Sequence, residues 1–142
     1  MLAGLLELFR KGEARVRLVE NEVTLVDDTL YDLLITVPKY KVWYIILGWV
    51  SNGDDVQRFV SVRLADKHDA VWTGNTYLFG ANIAAAGVYA FPQHGAFATT
   101  SGDEKDMFLD EAQSIHVRWG AGGASAGGNS RVDLWVVEVD KA

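Results

Sequence analysis

The amino-acid sequence predicts an all-β fold, an antiparallel β-sandwich or jelly roll of about eight strands with a short N-terminal helix or arm. Apolar and polar residues alternate along most of the chain, as they do in strands that bury one face. Turn-forming residues separate these stretches at regular intervals. A helical pattern is confined to the start, so we expect a helical arm over residues 1–12 and a β-sandwich domain over residues 13–142.

The N-terminal arm is apolar along one side, at positions that recur with helical spacing: Leu2, Leu5, Leu6 and Phe9. Lys11 and Gly12 end this pattern. An isolated helix of about ten residues is marginal in water, so the arm must dock on something. Two alternatives are open: the arm packs on its own domain, or it docks on a neighbouring subunit, either a second copy or another protein.

The predicted strands follow in order, with polar or glycine-containing turns between them. The segment 80–87 is compatible with a loop or a helical turn, and the segment 93–105 is expected to be a loop. The strand-like stretches are 15–19, 23–26, 31–37, 41–50, 56–64, 71–73, 76–79, 88–91, 107–109, 114–119 and 132–139.

Five glycines and no large side chain mark the segment 120–130. The segment lacks the lysine of a phosphate-binding loop, and it joins two strands rather than opening a helix. Glycine adds chain entropy and offers little to pack, so we expect a flexible hairpin tip that tolerates shortening. The glycines of this tip are Gly120, Gly122, Gly123, Gly127 and Gly128.

The charge balance argues against several classes of partner. The 142 residues carry 13 basic and 19 acidic side chains, a net charge of −6. Nucleic-acid binding needs a basic face, so we expect no direct contact with nucleic acid. The longest apolar stretch, 42–50, is too short to span a membrane, and the start lacks the basic region of a signal peptide. We therefore expect synthesis in a cytoplasm and no membrane contact.

The sequence offers no catalytic set. Its three histidines, His68, His94 and His116, are far apart, and none belongs to a metal-binding pair. The acidic residues between 103 and 111 match no EF-hand loop and are expected to be solvated. The chain has no cysteine to act as a nucleophile or to bind zinc. We expect no enzymatic activity, no cofactor and no metal.

Two local features have structural explanations. Asp54 and Asp55 follow an Asn-Gly pair and fit the chemistry of a turn better than that of a catalytic carboxylate pair. The alternation around Ile115 and Val117 predicts that both lie in the core. His116 between them is then expected on the outward face of its strand.

Two strands, 42–50 and 132–139, are apolar on both faces. Such a strand is either buried in the middle of the sandwich or has one face that a partner covers, and both alternatives are open. The candidate partner-binding residues are Tyr44, Ile46 and Trp135, together with Leu2, Leu5, Leu6 and Phe9 of the arm. A strict alternation groups Trp43, Ile45, Leu47 and Trp49 on one face and Tyr44, Ile46 and Gly48 on the other.

Several stretches carry a family resemblance. The first is Ile35-Thr36-Val37-Pro38-Lys39-Tyr40-Lys41-Val42-Trp43, followed by a Ser-Asn-Gly-Asp-Asp turn and the strand 56–64. The second runs from Phe108-Leu109 through 114–119 and the glycine tip to 134–139. Over about residues 28–140 the chain resembles the small jelly-roll proteins of tailed phages and prophages. It departs from them at Asp110-Glu111-Ala112-Gln113, where they often carry a Pro-Ala-Gly turn.

The resemblance implies a structural role. Such proteins include capsid cement, or decoration, proteins that staple neighbouring major capsid subunits. The implied partner is the major capsid protein, the implied location is the capsid surface of a virion made in the host cytoplasm, and a homo-oligomer, a dimer or trimer, is expected. The alternative is a carbohydrate-binding jelly-roll module of a tail fibre, in which Trp or Tyr would stack on sugar rings.

Overall fold

The computed structural model describes residues 2–26, 28–65, 76–91, 108–121 and 126–141. Within these residues the chain forms one helix and nine strands in two antiparallel sheets, so the predicted all-β sandwich is confirmed. The elements are α1 (Leu2–Arg10), β1 (Ala14–Leu25), β2 (Tyr31–Thr36), β3 (Lys41–Ser51), β4 (Arg58–Ala65), β5 (Thr76–Ile83), β6 (Val88–Phe91), β7 (Phe108–Leu109), β8 (Ser114–Trp119) and β9 (Gly128–Asp140).

The two sheets have the strand order of a jelly roll. Sheet A has the order β1-β9-β3-β6, with β7 also paired to β3, and sheet B has the order β2-β8-β4-β5. The chain pairs from its ends inward: β1 with β9, β2 with β8 and β4 with β5, all antiparallel. Strands that are distant in sequence are therefore neighbours, and β1 forms one edge of sheet A.

The inward faces of the two sheets form one hydrophobic core. On β8, Ile115, Val117 and Trp119 are fully buried, as their alternation predicted. They lie opposite inward residues of β2 and β4, because directly opposite residues of antiparallel strands share a face. The side chains that sheet A contributes include Trp43, Ile45, Val50, Val132, Leu134 and Val136.

Some predicted segments differ in extent from the structure. The stretches 15–19 and 23–26 belong to one strand, because the pairing of β1 with β9 runs without a break from Ala14 to Leu25. Segment 80–87 is not a helical turn: β5 continues to Ile83, and a tight turn follows in which Ala86 has a φ of +56°. The predicted strand 71–73 and the loop 93–105 lie outside the described residues.

A β-bulge in β3 breaks the alternation of that strand. Ile45 pairs with Val136, and Leu47 pairs with the preceding residue of β9, Trp135. Ile46 is therefore an extra residue with no counterpart on β9. Alternation along the sequence therefore predicts which way the side chains of β3 point only up to the bulge.

The bulge corrects the predicted faces of β3. Gly48 and Val50 pair with core residues of β9 and point inward, whereas Leu47 and Trp49 point outward. The predicted grouping of Leu47 and Trp49 with the first inward residues of the strand is therefore wrong. Gly48 is required here because a Cβ at this position would lie 2.2 Å from the ring of Phe91.

His116 lies on the outward face of β8, as the alternation predicted, but it is buried. Its strand lies between β2 and β4 in sheet B, and its side chain is fully covered although it points away from the core. Its Nε2 lies 3.1 Å from Oδ1 of Asp32, which also accepts a hydrogen bond from Arg118. Burial lowers the pKa of His116, and the nearby Asp32 carboxylate opposes this shift only in part.

A buried arginine joins the connections at one end of the sandwich. Arg58, at the start of β4, is 1% exposed, and its Nε donates to Oδ2 of Asp54 at 2.6 Å. Its terminal nitrogens donate to the carbonyl oxygens of Val26 and Thr29, between β1 and β2, and of Gly120, after β8. Asp54 belongs to the β3–β4 turn, so its predicted turn role is confirmed.

The β3–β4 turn is also tied to its neighbours by Asn52, which is fully buried. Its Nδ2 donates to the carbonyl oxygens of Val56 at 2.8 Å and Ile83 at 3.0 Å. The N–H of Gly53 donates to Oγ of Ser130 at 2.8 Å. These bonds hold the turn against the ends of β5 and β9.

Two of the five glycines expected at a flexible tip belong to the sandwich instead. Gly128 is the first residue of β9 and pairs with Leu25, and a Cβ on it would lie 2.0 Å from the carbonyl oxygen of Gly53. Gly127 has a φ of +73°, and a Cβ there would lie 2.3 Å from the carbonyl oxygen of Leu25. Glycine is needed at both positions because the backbones of three segments approach closely.

The other glycines of the predicted tip divide into two groups. Gly120 donates its N–H to the carbonyl oxygen of Phe59 at 2.8 Å and is half-buried. Gly122 and Gly123 lie outside the described residues. The mobility of the tip stays a prediction.

Replacing Arg58 by lysine is expected to destabilise the protein strongly. Lysine keeps the charge but lacks the planar set of donors that reaches Asp54 and three carbonyl groups together. These buried acceptors lose their donors, so the free energy of unfolding should fall by about 3–5 kcal/mol. Urea unfolding at neutral pH measures this change.

The matched control is Arg131→Lys, because Arg131 is a half-exposed arginine on β9. Its ion pairs lie at the surface, so the loss should stay below about 1 kcal/mol. Equal losses in the two variants would contradict the role assigned to Arg58.

Candidate assembly surface

α1 ends in a glycine-centred C-cap just before β1 begins. Gly12 has a φ of +72°, its N–H donates to the carbonyl oxygen of Phe9, and the N–H of Glu13 donates to that of Leu8. These two bonds form a Schellman motif, which confirms the predicted end of the helix. The carbonyl oxygen of Glu13 accepts the N–H of Asp140, so the turn is fixed to sheet A.

The described apolar side chains of α1 lie outside the hydrophobic core. Leu6 is 55% exposed and Phe9 is half-buried, and neither belongs to the core cluster of the sandwich. Leu2 and Leu5 are helical residues of α1 whose side chains fall outside the described part of the structure. The exposure of Leu6 favours a dock on another subunit over a dock on the arm's own core.

The outer face of sheet A carries three apolar rows at the end next to α1. Each row crosses several strands, because directly opposite residues share a face. We call these three rows the apolar face. They consist of Ala14, Val139 and Val42; of Val16, Val137, Tyr44 and Phe108; and of Leu18, Trp135 and Leu47.

Much of the apolar face is exposed in the single chain. Val16 is 55% exposed and Trp135 is 36% exposed. The rings of Tyr44 and Phe108 pack against each other at the margin of the face, with centroids 5.2 Å apart. Ile46, at the bulge of β3, is half exposed. Contiguous exposed apolar surface of this kind marks interaction sites.

An acidic cluster borders the apolar face on the side away from α1. Arg131 lies 2.9 Å from Glu20, 3.8 Å from Glu22 and 3.2 Å from Asp133, measured between side-chain nitrogen and oxygen atoms. Three carboxylates and one guanidinium leave the cluster with a net charge of −2. The outer face of sheet A is therefore apolar in one half and acidic in the other, which gives a partner a preferred orientation.

Beneath the apolar face, Glu138 holds three side chains in place. It is 1% exposed and accepts hydrogen bonds from Nε1 of Trp43 at 2.8 Å, from Arg17 at 2.8 Å and from Arg15 at 2.6 Å. Burial acts to raise the pKa of this carboxyl, but the hydrogen bonds from Trp43, Arg17 and Arg15 prevail and lower it. Glu138 thus fixes β1 and β3 to β9 near the point where α1 is attached.

The structure brings together residues that the sequence singled out on different strands. Tyr44 and Trp135 both lie on the apolar face, and Ile46 lies at the bulge two residues after Tyr44. The sequence-based set omitted Val16 and Leu18. Their apolar character was visible, but only the pairing of β1 with β9 shows that they extend the rows of Tyr44 and Trp135.

Comparisons with known proteins assign no family to the chain. No protein-family description and no curated protein matches the sequence. Among solved structures, the chain is similar to one from Bacillus endospore appendages, described as disulfide-linked pili, with a TM-score of 0.45, 8% identity, and coverage of 91% of this chain and 89% of that one. It is also similar to a chain of the empty head of turnip yellow mosaic virus, with a TM-score of 0.41, 12% identity, and coverage of 90% and 80%. Both likenesses are too distant to support an inference about function.

Two other features are absent from the described residues. No group of three acidic, histidine or cysteine side chains there lies close enough together to hold a metal ion. No helix there is long and apolar enough to cross a membrane. The expectations of no metal, no cofactor and no enzymatic activity stay predictions.

Acid is expected to destabilise the protein partly through Glu138. A carboxyl whose pKa is lowered by folding stabilises the folded state above its unfolded pKa, and this contribution is lost as the pH falls through the folded pKa. The ordinary pKa of the group is 4.5, so the loss should begin below that pH. Urea unfolding across acidic pH values should show a steeper decline for the native protein than for Glu138→Gln, which has no carboxyl to protonate. Parallel curves would contradict this role.

Removing residues 1–12 is expected to leave the sandwich folded, because the described side chains of α1 lie outside the core. A chain that starts at Glu13 should keep its circular dichroism spectrum and a similar thermal midpoint, but lose assembly or capsid binding. Leu6→Gln in the full chain is the matched variant, since it alters the arm and keeps the Schellman turn. Unfolding of the shortened chain would show that the arm belongs to its own core.

Proposed function

We propose that the chain is a structural virion protein, a capsid cement or decoration protein that binds the outside of a phage head and staples neighbouring major capsid subunits. The observation that supports this proposal is the apolar face, where a single chain leaves Val16, Leu18, Phe108 and Trp135 exposed to water. The resemblance of segments 35–64 and 108–139 to phage cement proteins supports the kind of assembly. In this proposal the chain has no catalytic role.

The proposed mechanism is mass action. An interface that exists only in the assembled lattice stabilises that lattice over free subunits. Full burial of one aliphatic or aromatic side chain contributes roughly 1.5–3 kcal/mol. Val16 and Trp135 are already partly buried, so each gains only a fraction of this. The gain becomes large because the same face is used by every copy on the shell.

The charge of the chain supports a protein partner on the outside of the shell. The acidic cluster around Arg131 lies directly beside the apolar face. Its net negative charge, like that of the whole chain, repels phosphate groups. A partner that covers the apolar face while offering basic groups to this cluster fits both halves of the surface.

A carbohydrate-binding module is the alternative function, and the surroundings of Trp135 favour a protein partner instead. A sugar site needs polar groups placed beside the aromatic ring that the sugar stacks on. The side chains directly opposite Trp135 on the two neighbouring strands are Leu18 and Leu47. This row is apolar, and the nearest polar side chains on this face, Glu20 and Asp133 in the next row, are already paired with Arg131.

The substitutions Trp135→Gln and Tyr44→Gln are expected to weaken capsid binding. Each removes an aromatic ring from the apolar face, and aromatic residues carry much of the energy of an interface, so the loss should be about tenfold or more. The measurement is co-sedimentation with expanded capsid shells of the phage or prophage that encodes the chain.

The matched control is Val88→Ser, because Val88 is 59% exposed in the same sheet but lies outside the apolar face. It should bind like the native protein, and circular dichroism should show that all three variants are folded. Unchanged binding by Trp135→Gln would count against the proposal. Binding on a glycan array that is lost in the same variant would support the carbohydrate alternative.

A further inference from the structure

The β3–β4 turn contains an Asn-Gly pair, the dipeptide in which an asparagine side chain most readily loses its amide. The reaction is favoured because glycine has no side chain to hinder its own backbone nitrogen. The structure explains why the chain keeps this labile pair. A Cβ on Gly53 would lie 1.7 Å from the carbonyl oxygen of Asn129, so only glycine fits there. The side chain of Asn52 ties the turn to the end of β5.

The chemistry of this pair needs only the chain and water. The backbone nitrogen of Gly53 attacks the side-chain carbonyl carbon of Asn52. A C–N bond forms, and the bond from that carbon to Nδ2 breaks. The proton of the Gly53 nitrogen leaves with Nδ2 as ammonia. Water then opens the cyclic imide at either of its carbonyl carbons, which leaves aspartate or isoaspartate in place of Asn52.

The polar atoms that take part in this step are all held by hydrogen bonds in the folded chain. The N–H of Gly53 donates to Oγ of Ser130 at 2.8 Å. Nδ2 of Asn52 donates to two carbonyl groups outside the pair, and its Oδ1 accepts the N–H of Asp54 at 3.1 Å. Asn52 and Ser130 are both fully buried, so bulk water does not reach the pair.

We propose that Asn52 is a latent deamidation site, which is unreactive while the β3–β4 turn is closed and reacts once the turn opens. The attacking nitrogen is freed only when its bond to Ser130 breaks, and water enters only when the turn leaves its buried position. The population of the open turn therefore sets the rate. This inference goes beyond the proposed function, because it requires nothing of a capsid.

Conversion of Asn52 prevents the turn from closing as before. A carboxylate oxygen replaces the Nδ2 donor and faces the carbonyl oxygens of Val56 and Ile83. The new negative charge is buried next to Asp54, whose own carboxylate is already paired with Arg58. A chain that has reacted in the open state is therefore lost from the folded population, and the reaction limits the lifetime of the protein.

The deamidation rate of the native chain gives the first test. The full chain is incubated at mildly alkaline pH, folded in one sample and unfolded in guanidinium chloride in the other. Peptide mass spectrometry follows the loss of the Asn52 amide. The folded chain should react at least about tenfold more slowly, because opening must precede the reaction. Equal rates in the two samples would overturn the proposal.

Ser130→Ala tests the hydrogen bond to Gly53. The variant leaves the N–H of Gly53 without its acceptor, so the turn should open more often and the Asn52 amide should be lost about tenfold faster. The matched control is Ser114→Ala, which removes another fully buried serine hydroxyl, one that is hydrogen-bonded to Thr36 in sheet B. The same acceleration in both variants would overturn the role of Ser130.

Asn52→Asp reproduces one product of the reaction and tests its consequence. Asn129→Asp is the matched control, since it adds the same charge at an exposed position. In guanidinium chloride unfolding of the full chain, the midpoint of Asn52→Asp should lie well below that of the native chain, whereas the midpoint of Asn129→Asp should stay close to it. Equal midpoints for the two variants would overturn the inference that deamidation removes the chain from the folded population.

Discussion

Arg58 lies where the β1–β2 connection, the β3–β4 turn and the end of β8 meet, and its guanidinium donates hydrogen bonds to all three. A jelly roll brings connections that are distant in sequence to the same end of the sandwich. Their carbonyl groups are then drawn out of water and need donors. One planar group with five N–H bonds meets this need, and the Asp54 carboxylate keeps its charge compensated. The closure of this end of the fold therefore depends on this buried ion pair, together with the hydrogen bonds of Asn52 and Ser130.

The opposite end of sheet A is organised by a second buried ion-pair group, and this one explains why the apolar face is outside. Arg15 and Arg17 point inward to reach Glu138. Since side chains alternate along a strand, the residues between and after them, Val16 and Leu18, must point outward. The usual arrangement of polar outside and apolar inside is inverted over this part of β1. The burial of Glu138 thus fixes the exposure of the first residues of the face.

The sequence predicted the fold well because alternation is a local signal. The inward triplet Ile115, Val117 and Trp119 is one example: each position follows from its neighbours alone, and all three are in the core. The bulge at Ile46 could not be predicted in the same way, because an extra residue is defined by the partner strand and not by the strand itself. For that reason the alternation placed Leu47 on the wrong face of β3.

The candidate site was predicted only in part, and for the same physical reason. Tyr44 and Trp135 were visible as apolar residues on the second face of their strands. That they form rows with Val16 and Leu18 depends on pairing over more than a hundred residues, which no local pattern encodes. The inward positions of Arg15 and Arg17 could not be predicted either. Only the pairing of β1 with β9 brings both side chains within reach of Glu138. The outward facing of His116 was predicted, but its burial was not, because burial of a polar side chain depends on what covers the sheet.

The outer faces of the two sheets differ in polarity and in exposure, and the difference indicates which face can take part in assembly. Ser61, Arg63, Ser114 and His116 on the outer side of sheet B are polar, yet all four are buried in the single chain. On sheet A the half of the outer side next to α1 is apolar, yet Val16, Leu18 and Trp135 there are exposed. Exposed apolar surface favours association, so it persists in a soluble protein chiefly where a partner covers it. The apolar face and the open edge of β1 are contiguous, since Val16 and Leu18 belong to both. Association is therefore expected at sheet A, whereas the polar outer side of sheet B is already covered within the single chain.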